Sequence, residues 1–436
     1  MKKEFLHKGN ASFVLPFIIV TTCFALWGFA NDITNPMVKS FSKIFRMDVA
    51  DGTLVQVAFY GGYFAMALPA ALFIRRFSYK TGILIGLALY AIGAFLFFPA
   101  KASGSFYPFL IAYFILTCGL SFLETSSNPF ILSMGEQEDA TRRLNLAQSF
   151  NPIGSLCGMF VAMNFIQARM NPMSTAERAN LDEAEFEMLK QADLTILMKP
   201  YIAIGLVLVT IFLLVLFFVK VPSVEKSHDA RELKILPTFG RLFRNKAYRR
   251  GVIAQFFYVG AQITCWTFII QYGTRVFMAE GMTEVAAEML SQRLNIIAMV
   301  LFCGSRFLCT WLMQYVQPRK LLSLFAALGI ASLLLTIFVG GRTGIYALVA
   351  TSAFMSLMFP TIYALALNNV GDDAEIGSSG LIMAILGGSL LPWLQAAIID
   401  REITWMPSVN LSFIVPLCCF VVVLWYGLTV KHLDEA

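Results

Sequence analysis

The residue type best able to do chemistry in this sequence is a carboxylate, Glu124, within the polar stretch Gly119–Phe130. It is the only charged residue in an apolar run from Phe106 to Ser133, which at about 1.5 Å per residue is long enough to cross a bilayer as one helix. An ionised carboxylate at that depth is costly, so the side chain should face a water-filled cavity or a partner rather than lipid. We expect Glu124 to bind a proton or a substrate. A structural carboxylate held between helices is the alternative.

A second acidic group lies in the first apolar segment of the chain. Asn31, Asp32 and Asn35 share one helical face, because residues three and four apart are neighbours on a helix. Pro36 follows and permits a bend, which is common near transport sites. Asp32 is therefore a candidate second proton-binding group, and the asparagines are candidate substrate ligands. A solvated Asp32 near the outer mouth is the competing interpretation.

Amide side chains recur at helical spacing in the fifth apolar segment, at Asn145, Gln148 and Asn151. Amides both donate and accept hydrogen bonds, which suits the hydroxyl groups of a sugar. Hydrogen bonding between helices is the competing use, although such bonds contribute only about 0.6 kcal/mol on average. This stripe favours binding of a polar solute.

The seventh apolar segment combines amides with aromatic rings. Gln255, Tyr258, Gln262 and Trp266 lie on one side of the predicted helix. A pyranose presents an apolar face on which a ring can stack, and edges that an amide can hydrogen-bond. We assign Tyr258, Gln262 and Trp266 to a candidate sugar site, with an ordinary aromatic core as the alternative.

Two further polar residues lie deep in predicted spans. Arg306 is roughly 15 Å from the inner end of the eighth span, too deep to reach water easily, so it should have an internal partner. Glu124 and a sugar hydroxyl are both possible partners. Tyr363 in the tenth span completes the candidate substrate-binding set.

Composition places these residues in a membrane protein. Of 436 residues, 58% are hydrophobic and 14% are charged, whereas soluble domains carry roughly 25% charged residues. The eight cysteines lie in apolar stretches without metal-ligand spacing, and the three histidines lie in termini or a loop. We therefore expect no metal and no cofactor other than a coupling proton. The net charge of +6 collects mostly in one loop and requires no nucleic-acid partner.

Twelve spans are predicted, six on each side of the polar segment from Val221 to Ala247. Their approximate ranges are 13–44, 53–75, 82–100, 106–134, 144–167, 197–220, 248–278, 291–316, 320–340, 343–369, 377–400 and 408–431. The expected domains are a six-helix bundle over 1–220, a cytoplasmic linker over 221–247 and a second bundle over 248–436. The excess of Lys and Arg in the inward segments places both termini in the cytoplasm. The external stretch 169–200 is expected to contain a solvated cap helix over 176–192.

The two halves echo each other, with basic turns after the second and eighth spans and polar, proline-containing fourth and tenth spans. A repeat of six plus six spans is typical of the major facilitator fold, in which the substrate site lies between the halves near the midplane. The predicted class is an all-α membrane protein of this fold.

These stretches together resemble the fucose permease family of the major facilitator superfamily, the fucose–galactose–glucose proton symporters. The matching motifs are Phe122–Thr125, Asn128–Phe130, Arg143–Gln148, Phe150–Asn151, Tyr258–Gln262, Cys265–Trp266, Ala353–Ser356 and Pro360–Ile362. The resemblance implies proton-driven import of L-fucose or a related hexose across a bacterial inner membrane, by a monomer. It also implies that Glu124 is the proton-binding carboxylate, and that the central cavity is lined by Asn31, Asn145, Gln148 and Gln262. In one departure, Asn35 occupies the position of the family's first-span acid, and Asp32 lies one turn earlier. Either Asp32 does the same work from the same helical face, or the transporter couples through Glu124 alone.

Other functions remain open at this stage. A hexose facilitator or exchanger for glucose or galactose would use the same polar residues without protons. A membrane enzyme or a sugar sensor is the third possibility. The sequence shows no metal cluster, nucleophile elbow or phosphate-binding loop, and it has no attached signalling domain. We therefore predict a transporter and not an enzyme.

Overall fold

The computed structural model describes residues 6–8, 11–34, 37–47, 54–173, 175–219, 235–368, 370–399, 401 and 407–430. These residues are almost entirely helical, apart from a hairpin of two short strands, β1 (His7–Lys8) and β2 (Ala11–Ser12). Twelve helical segments within the described residues are long and apolar enough to cross a membrane. This confirms the predicted all-α membrane class.

The helices follow one another along the chain with few long breaks. They are α1 (Val14–Thr34), α2 (Met37–Phe45), α3 (Leu54–Arg76), α4 (Tyr79–Phe95), α5 (Phe97–Ser103), α6 (Tyr107–Ser133), α7 (Ala140–Gln148), α8 (Asn151–Val161), α9 (Thr175–Ala179), α10 (Glu183–Phe218), α11 (Ile235–Arg244), α12 (Lys246–Ala279), α13 (Glu284–Leu312), α14 (Pro318–Leu334), α15 (Gly341–Met355), α16 (Met358–Leu367), α17 (Ala374–Met383), α18 (Gly387–Ile399), α19 (Ser408–Ser412) and α20 (Ile414–Thr429). Short π- and 3₁₀-helical turns continue several of them, at Ala162–Ile166, Gln167–Arg169, Leu335–Val339, Gly371–Asp373 and Ala384–Leu386.

The chain divides into two compact units. Unit 1 comprises Met1–Glu136 and Phe150–Ala230, and unit 2 comprises Gln137–Ser149 and Arg231–Ala436. The expected domain boundaries at 220 and 247 stay a prediction. Most of the expected linker, residues 220–234, lies outside the described residues.

Unit 1 is held together by close helix packing. α6 packs against α3 and α4, and α1 packs against α8. Gly119 of α6 lies against the backbone of α4, where an added Cβ would meet Gly86 and Tyr90. Gly154 of α8 meets the backbone of Ala25 in the same way. Small residues at these crossings let the helices approach closely, as is usual inside membranes.

Unit 2 is organised around α12, which packs against α13, α15, α16, α18 and α20. Hydrogen bonds from buried side chains to backbone carbonyls stabilise this packing, for example from the Tyr272 hydroxyl to Thr336 O at 2.9 Å. α11 is held by Arg241, whose Nε and Nη2 each donate to the Asp373 carboxylate at 2.8 Å.

The two polar spans are the most buried ones. In the apolar stretch of the fourth span, Tyr107–Ser133, 78% of the residues are buried, and in that of the tenth span, Gly341–Leu367, 72% are buried. No other described span exceeds 61%. Polar side chains in a membrane helix are costly against lipid, which explains why these helices are interior ones.

The segment 169–200 differs from the single solvated helix expected over 176–192. α9 ends at Ala179, and Asp182 then caps α10 by accepting a hydrogen bond from Glu185 N at 2.7 Å. α10 continues without a break into the sixth span. The segment is also partly interior, because Arg178 and Asp193 form an ion pair of 2.6 Å with side chains 0% and 1% exposed.

Candidate functional site

Glu124 lies near the middle of α6 and is only 2% exposed. Its Oε2 atom has no hydrogen-bond partner among the residues that the structure describes. The carboxyl group lies close enough to Tyr63 of α3 to interact electrostatically with its hydroxyl, and Tyr63 in turn interacts with Trp27 of α1. The predicted fourth-span acid is thus enclosed by aromatic side chains in unit 1.

Hydroxyl groups surround this part of α6. Ser121 Oγ donates to Tyr63 O at 3.1 Å and Ser126 Oγ donates to Phe122 O at 2.6 Å. The buried hydroxyls of Thr125 and Ser127 have no hydrogen-bond partner within the described part of the chain. Buried polar groups usually have partners, so this unsatisfied set makes the α6 segment a candidate site for protons, water or a solute.

Asp32 and Asn31 are half-buried in the last turns of α1. Asp32 interacts electrostatically with the Tyr60 hydroxyl of α3. Tyr60 and Tyr63 are one helical turn apart, so adjacent turns of α3 contact the two predicted proton-binding acids. Asn35 lies outside the described residues.

The predicted amide stripe of the fifth span is divided by a helix break. α7 ends at Gln148, and α8 begins at Asn151 with Pro152, which lacks a backbone N–H, in its first turn. Asn151 belongs to unit 1, where its Nδ2 donates to Phe24 O at 3.2 Å. Asn145 and Gln148 belong to unit 2. The structure therefore does not bring all three amides onto one continuous helix.

In unit 2, Asn145 is buried on α7. Its Nδ2 donates to Thr141 O at 2.9 Å and to Thr361 Oγ1 of α16 at 3.1 Å. Its Oδ1 is buried without a hydrogen-bond partner among the described residues. Gln148 is also buried, and its backbone carbonyl accepts a hydrogen bond from Arg306 Nη1 at 2.9 Å.

Arg306 of α13 has internal hydrogen-bond partners, as predicted from its depth in the eighth span. It is 3% exposed, and its Nε donates to Ser356 O at 2.5 Å. Its guanidinium lies 4.5 Å from the centre of the Phe302 ring and interacts with the Tyr258 hydroxyl. Two of its hydrogen bonds go to backbone carbonyls, which could not be foreseen from the sequence.

Aromatic rings surround the guanidinium. The Tyr258 hydroxyl donates to Met355 O at 3.1 Å, and the half-buried Trp266 donates from Nε1 to Ser352 Oγ at 3.2 Å. Trp266 also meets Phe302 edge-on at 4.9 Å between ring centres. α12 and α13 thus place aromatic faces beside donors and acceptors, as expected for a sugar site.

The tenth span supplies the remaining ring of this set. Tyr363 is fully buried and stacks on Phe359 at 6.3 Å, and Phe359 meets Tyr258 edge-on at 6.4 Å. Gln262 is half-buried on the same face of α12 as Tyr258. We call Asn145, Gln148, Tyr258, Gln262, Trp266, Arg306 and Tyr363 the unit 2 polar set.

Several residues of this region were not singled out from the sequence. They are Phe302, Ser352, Ser356, Phe359 and Thr361. The available signal was weak: small hydroxyls and phenylalanines are ordinary in apolar helices, and only their contacts with Arg306, Trp266 and Asn145 distinguish them. The described residues contain no group of three or more His, Cys, Asp or Glu placed to hold a metal ion.

A family comparison accounts for this architecture. Residues 20–391 match the model of the Major Facilitator Superfamily. The chain belongs to this superfamily. The resemblance to its fucose permease family is also confirmed, by relatives that match almost end to end.

Two curated relatives in the superfamily are L-fucose-proton symporters. The one from Haemophilus influenzae is 50% identical over 421 residues, covering 95% of this chain and 96% of the relative. The one from Escherichia coli is 33% identical over 417 residues, covering 95% and 92%. Both are transporters, and this chain is a multi-pass membrane protein of the same kind.

A solved structure also matches the fold. The crystal structure of the major facilitator transporter FucP in an outward conformation aligns with a TM-score of 0.86 at 32% identity. The alignment covers 96% of this chain and 99% of that one. The major facilitator fold predicted from twelve spans is therefore confirmed.

Proposed function

We propose that this chain imports L-fucose or a related hexose together with a proton, by alternating access across a bacterial inner membrane. The support for the substrate is the near-complete match to two L-fucose-proton symporters, one at 50% identity. Both termini are assigned to the cytoplasm from the distribution of basic residues. The transporter acts as a monomer and needs neither a cofactor nor a nucleic-acid partner.

The observation that carries the proton coupling is the burial of Glu124 without a cationic partner among the described residues. An ionised carboxylate in this position would lose its hydration and gain no opposite charge in return. Burial therefore favours the protonated, neutral form of Glu124. A protonated Glu124 also gains an O–H donor for a sugar hydroxyl. Binding of the proton and binding of the sugar then favour each other. The transporter with both bound changes from the outward-open to the inward-open conformation.

Asp32 supplies the proton in this scheme. It is half-buried at the end of α1, and it reaches the aromatic surroundings of Glu124 through Tyr60 and Tyr63. Asp32 thus stands in for the family's first-span acid from one turn earlier. Asn31, Asn35 and Asn151 supply further amide groups for the substrate.

The unit 2 polar set provides sugar recognition. Tyr258, Trp266 and Tyr363 offer ring faces, and Asn145, Gln148 and Gln262 offer amides that satisfy hydroxyls as donors and acceptors. Arg306 holds the backbone carbonyls of Gln148 and Ser356 and contacts Tyr258, so it positions α7 and the aromatic rings as well as offering a charged donor.

Purified protein in liposomes tests the proposal. A pulse of L-fucose should carry protons into the vesicle, so that the external medium becomes more alkaline as labelled sugar enters. Entry of sugar without a pH change would indicate the facilitator or exchanger, which has less support because both fucose relatives are proton symporters. Binding without any entry would indicate a sensor. Empty vesicles treated with L-fucose serve as the control.

A further inference from the structure

One buried amide of unit 2 is left unused by the proposed site. Gln255 of α12 is 0% exposed, and neither its Oε1 nor its Nε2 has a hydrogen-bond partner among the described residues. A primary amide has two donor hydrogens and two acceptor lone pairs, and buried groups of this kind are nearly always satisfied. A fully unsatisfied amide in a helix core therefore requires an explanation.

Gln255 lies on the face of α12 that the proposed sugar site already uses. It is three residues before Tyr258, seven before Gln262 and eleven before Trp266. At 3.6 residues per turn, these four side chains fall within an arc of about 80°. Gln255 is about 4.5 Å along the axis from Tyr258, towards the end of α12 that begins at Lys246.

The residues on either side of Gln255 along α12 lie close to α16. Tyr258 meets Phe359 of α16, and an added Cβ on Gly251 would meet Ala366 of α16. Gln255 lies between these two positions along α12, and its side chain is turned about 40–60° around the helix axis from both of them. The same Cβ would lie 3.1 Å from the Tyr426 hydroxyl, which is also buried without a hydrogen-bond partner in the described structure.

Another buried amide of unit 2 shows the structural use of such a group. Gln395 of α18 is also 0% exposed, but its Nε2 donates to Ser412 Oγ of α19 at 3.1 Å. Gln395 thus joins two helices through its Nε2, although its Oε1 has no partner among the described residues, whereas neither polar atom of Gln255 has one. Packing alone would be served at least as well by an apolar side chain at position 255.

We propose that Gln255 is a further sugar-contacting residue, which hydrogen-bonds a hydroxyl of the hexose beyond Tyr258, on the side of Lys246. The inference rests on the proposed function. During access to that side, the hexose moves along the α12 face from Gln262 and Tyr258 to Gln255. The unsatisfied amide is retained because its partner is the transported sugar.

The first test replaces the amide and keeps the volume, with Gln255→Met. The half-saturating concentration of L-fucose in liposome exchange should rise about tenfold, the effect of one lost hydrogen bond of 1.4 kcal/mol. The midpoint of thermal unfolding should stay the same or rise, because an unsatisfied group has been removed. The matched control, Gln395→Met, should lower the unfolding midpoint and leave the half-saturating concentration unchanged.

The second test asks whether the contact is direct. Competition by L-fucose analogues that each lack one hydroxyl is measured for the wild type and for Gln255→Met. In the wild type, one analogue should bind about tenfold more weakly than L-fucose does. In Gln255→Met, that analogue and L-fucose should bind with equal affinity. Should Gln255→Met not fold, Gln255→Asn retains an amide on a shorter side chain and should change the response to the same analogue.

The outcomes separate the two proposals. Unchanged half-saturation in Gln255→Met, or the same pattern of analogues in both proteins, overturns the role of Gln255 while sugar transport stands. A wild-type protein that neither exchanges nor accumulates L-fucose overturns the proposed function instead.

Discussion

Arg306 Nη1 donates a hydrogen bond of 2.9 Å to the backbone carbonyl of Gln148, so a buried cation fixes the end of the short helix α7. The same guanidinium donates from Nε to the carbonyl of Ser356, just beyond α15. One side chain of α13 therefore holds two other helices of unit 2. The acceptors of these two bonds are backbone carbonyl groups and not carboxylates.

Replacement of Arg306 by lysine should destabilise the protein. Lysine is a single point donor and cannot reproduce the planar fork that reaches two carbonyls and lies over Phe302. Loss of one charged hydrogen bond lowers the free energy of unfolding by about 1.5–3 kcal/mol. Thermal unfolding of purified protein measures the change.

A matched control exists at the surface of unit 2. Arg342 pairs with Glu280 at 2.9 Å, but its side chain is 60% exposed, and exposed ion pairs contribute about 0–1 kcal/mol. Arg342→Lys should leave the unfolding midpoint nearly unchanged. Equal effects of the two substitutions would contradict the anchoring role of Arg306.

Glu124→Gln should abolish proton-driven accumulation of sugar while exchange persists. Glutamine mimics the neutral acid, so it keeps a hydrogen-bond donor and removes the exchangeable proton. With one proton per sugar, 100 mV supplies about 2.3 kcal/mol, enough for about fiftyfold accumulation by the wild type. The variant should reach no accumulation, and its exchange rate should lose most of its dependence on pH.

Labelled L-fucose in energised liposomes measures this difference. The control is Glu183→Gln, which removes a carboxylate that is 85% exposed at the start of α10. Accumulation by the Glu124→Gln variant against a gradient would place the coupling group elsewhere.

Hydropathy and spacing were sufficient for the fold, because each span must be long and apolar in its own sequence. They also identified Glu124 and Arg306, since a charge at that depth is conspicuous in a single chain. The partners of these charges depend on tertiary packing: the carbonyls bound by Arg306 carry no sequence signal, and neither does the missing partner of Gln255. The break at Pro152 could have been anticipated, but not that it separates Asn151 from Asn145.

Asp32→Asn should slow uptake without changing the number of protons carried per sugar. Asp32 is half-buried and interacts electrostatically with the Tyr60 hydroxyl, so we expect it to deliver protons towards Glu124 rather than to carry them across. The rate of proton-coupled uptake should fall about a hundredfold, the lower end of the contribution that a positioned proton donor or acceptor usually makes. Simultaneous recording of proton and sugar fluxes measures both quantities.

Glu284→Gln, at an exposed position of α13, is the control for that experiment. A lower proton-to-sugar ratio in Asp32→Asn would mean that Asp32 itself binds a coupled proton. In that case Asp32 carries out the full role of the family's first-span acid.

Asp193→Asn should destabilise unit 1 by about 3–5 kcal/mol, the usual cost of breaking a buried ion pair by removing one partner. Arg178 Nη2 lies 2.6 Å from Asp193 Oδ2 and also donates to Asn171 O at 3.1 Å, and Lys43 of α2 donates to the same carbonyl at 2.6 Å. The substitution leaves a buried guanidinium without its counter-charge beside a second cation.

The double variant Arg178→Met, Asp193→Leu should recover much of the loss, because apolar pairs often replace buried ion pairs at little cost. The thermal unfolding midpoints of the single and double variants measure this difference. Equal destabilisation by both would show that the hydrogen bonds to Asn171, rather than the paired charges, stabilise this part of unit 1.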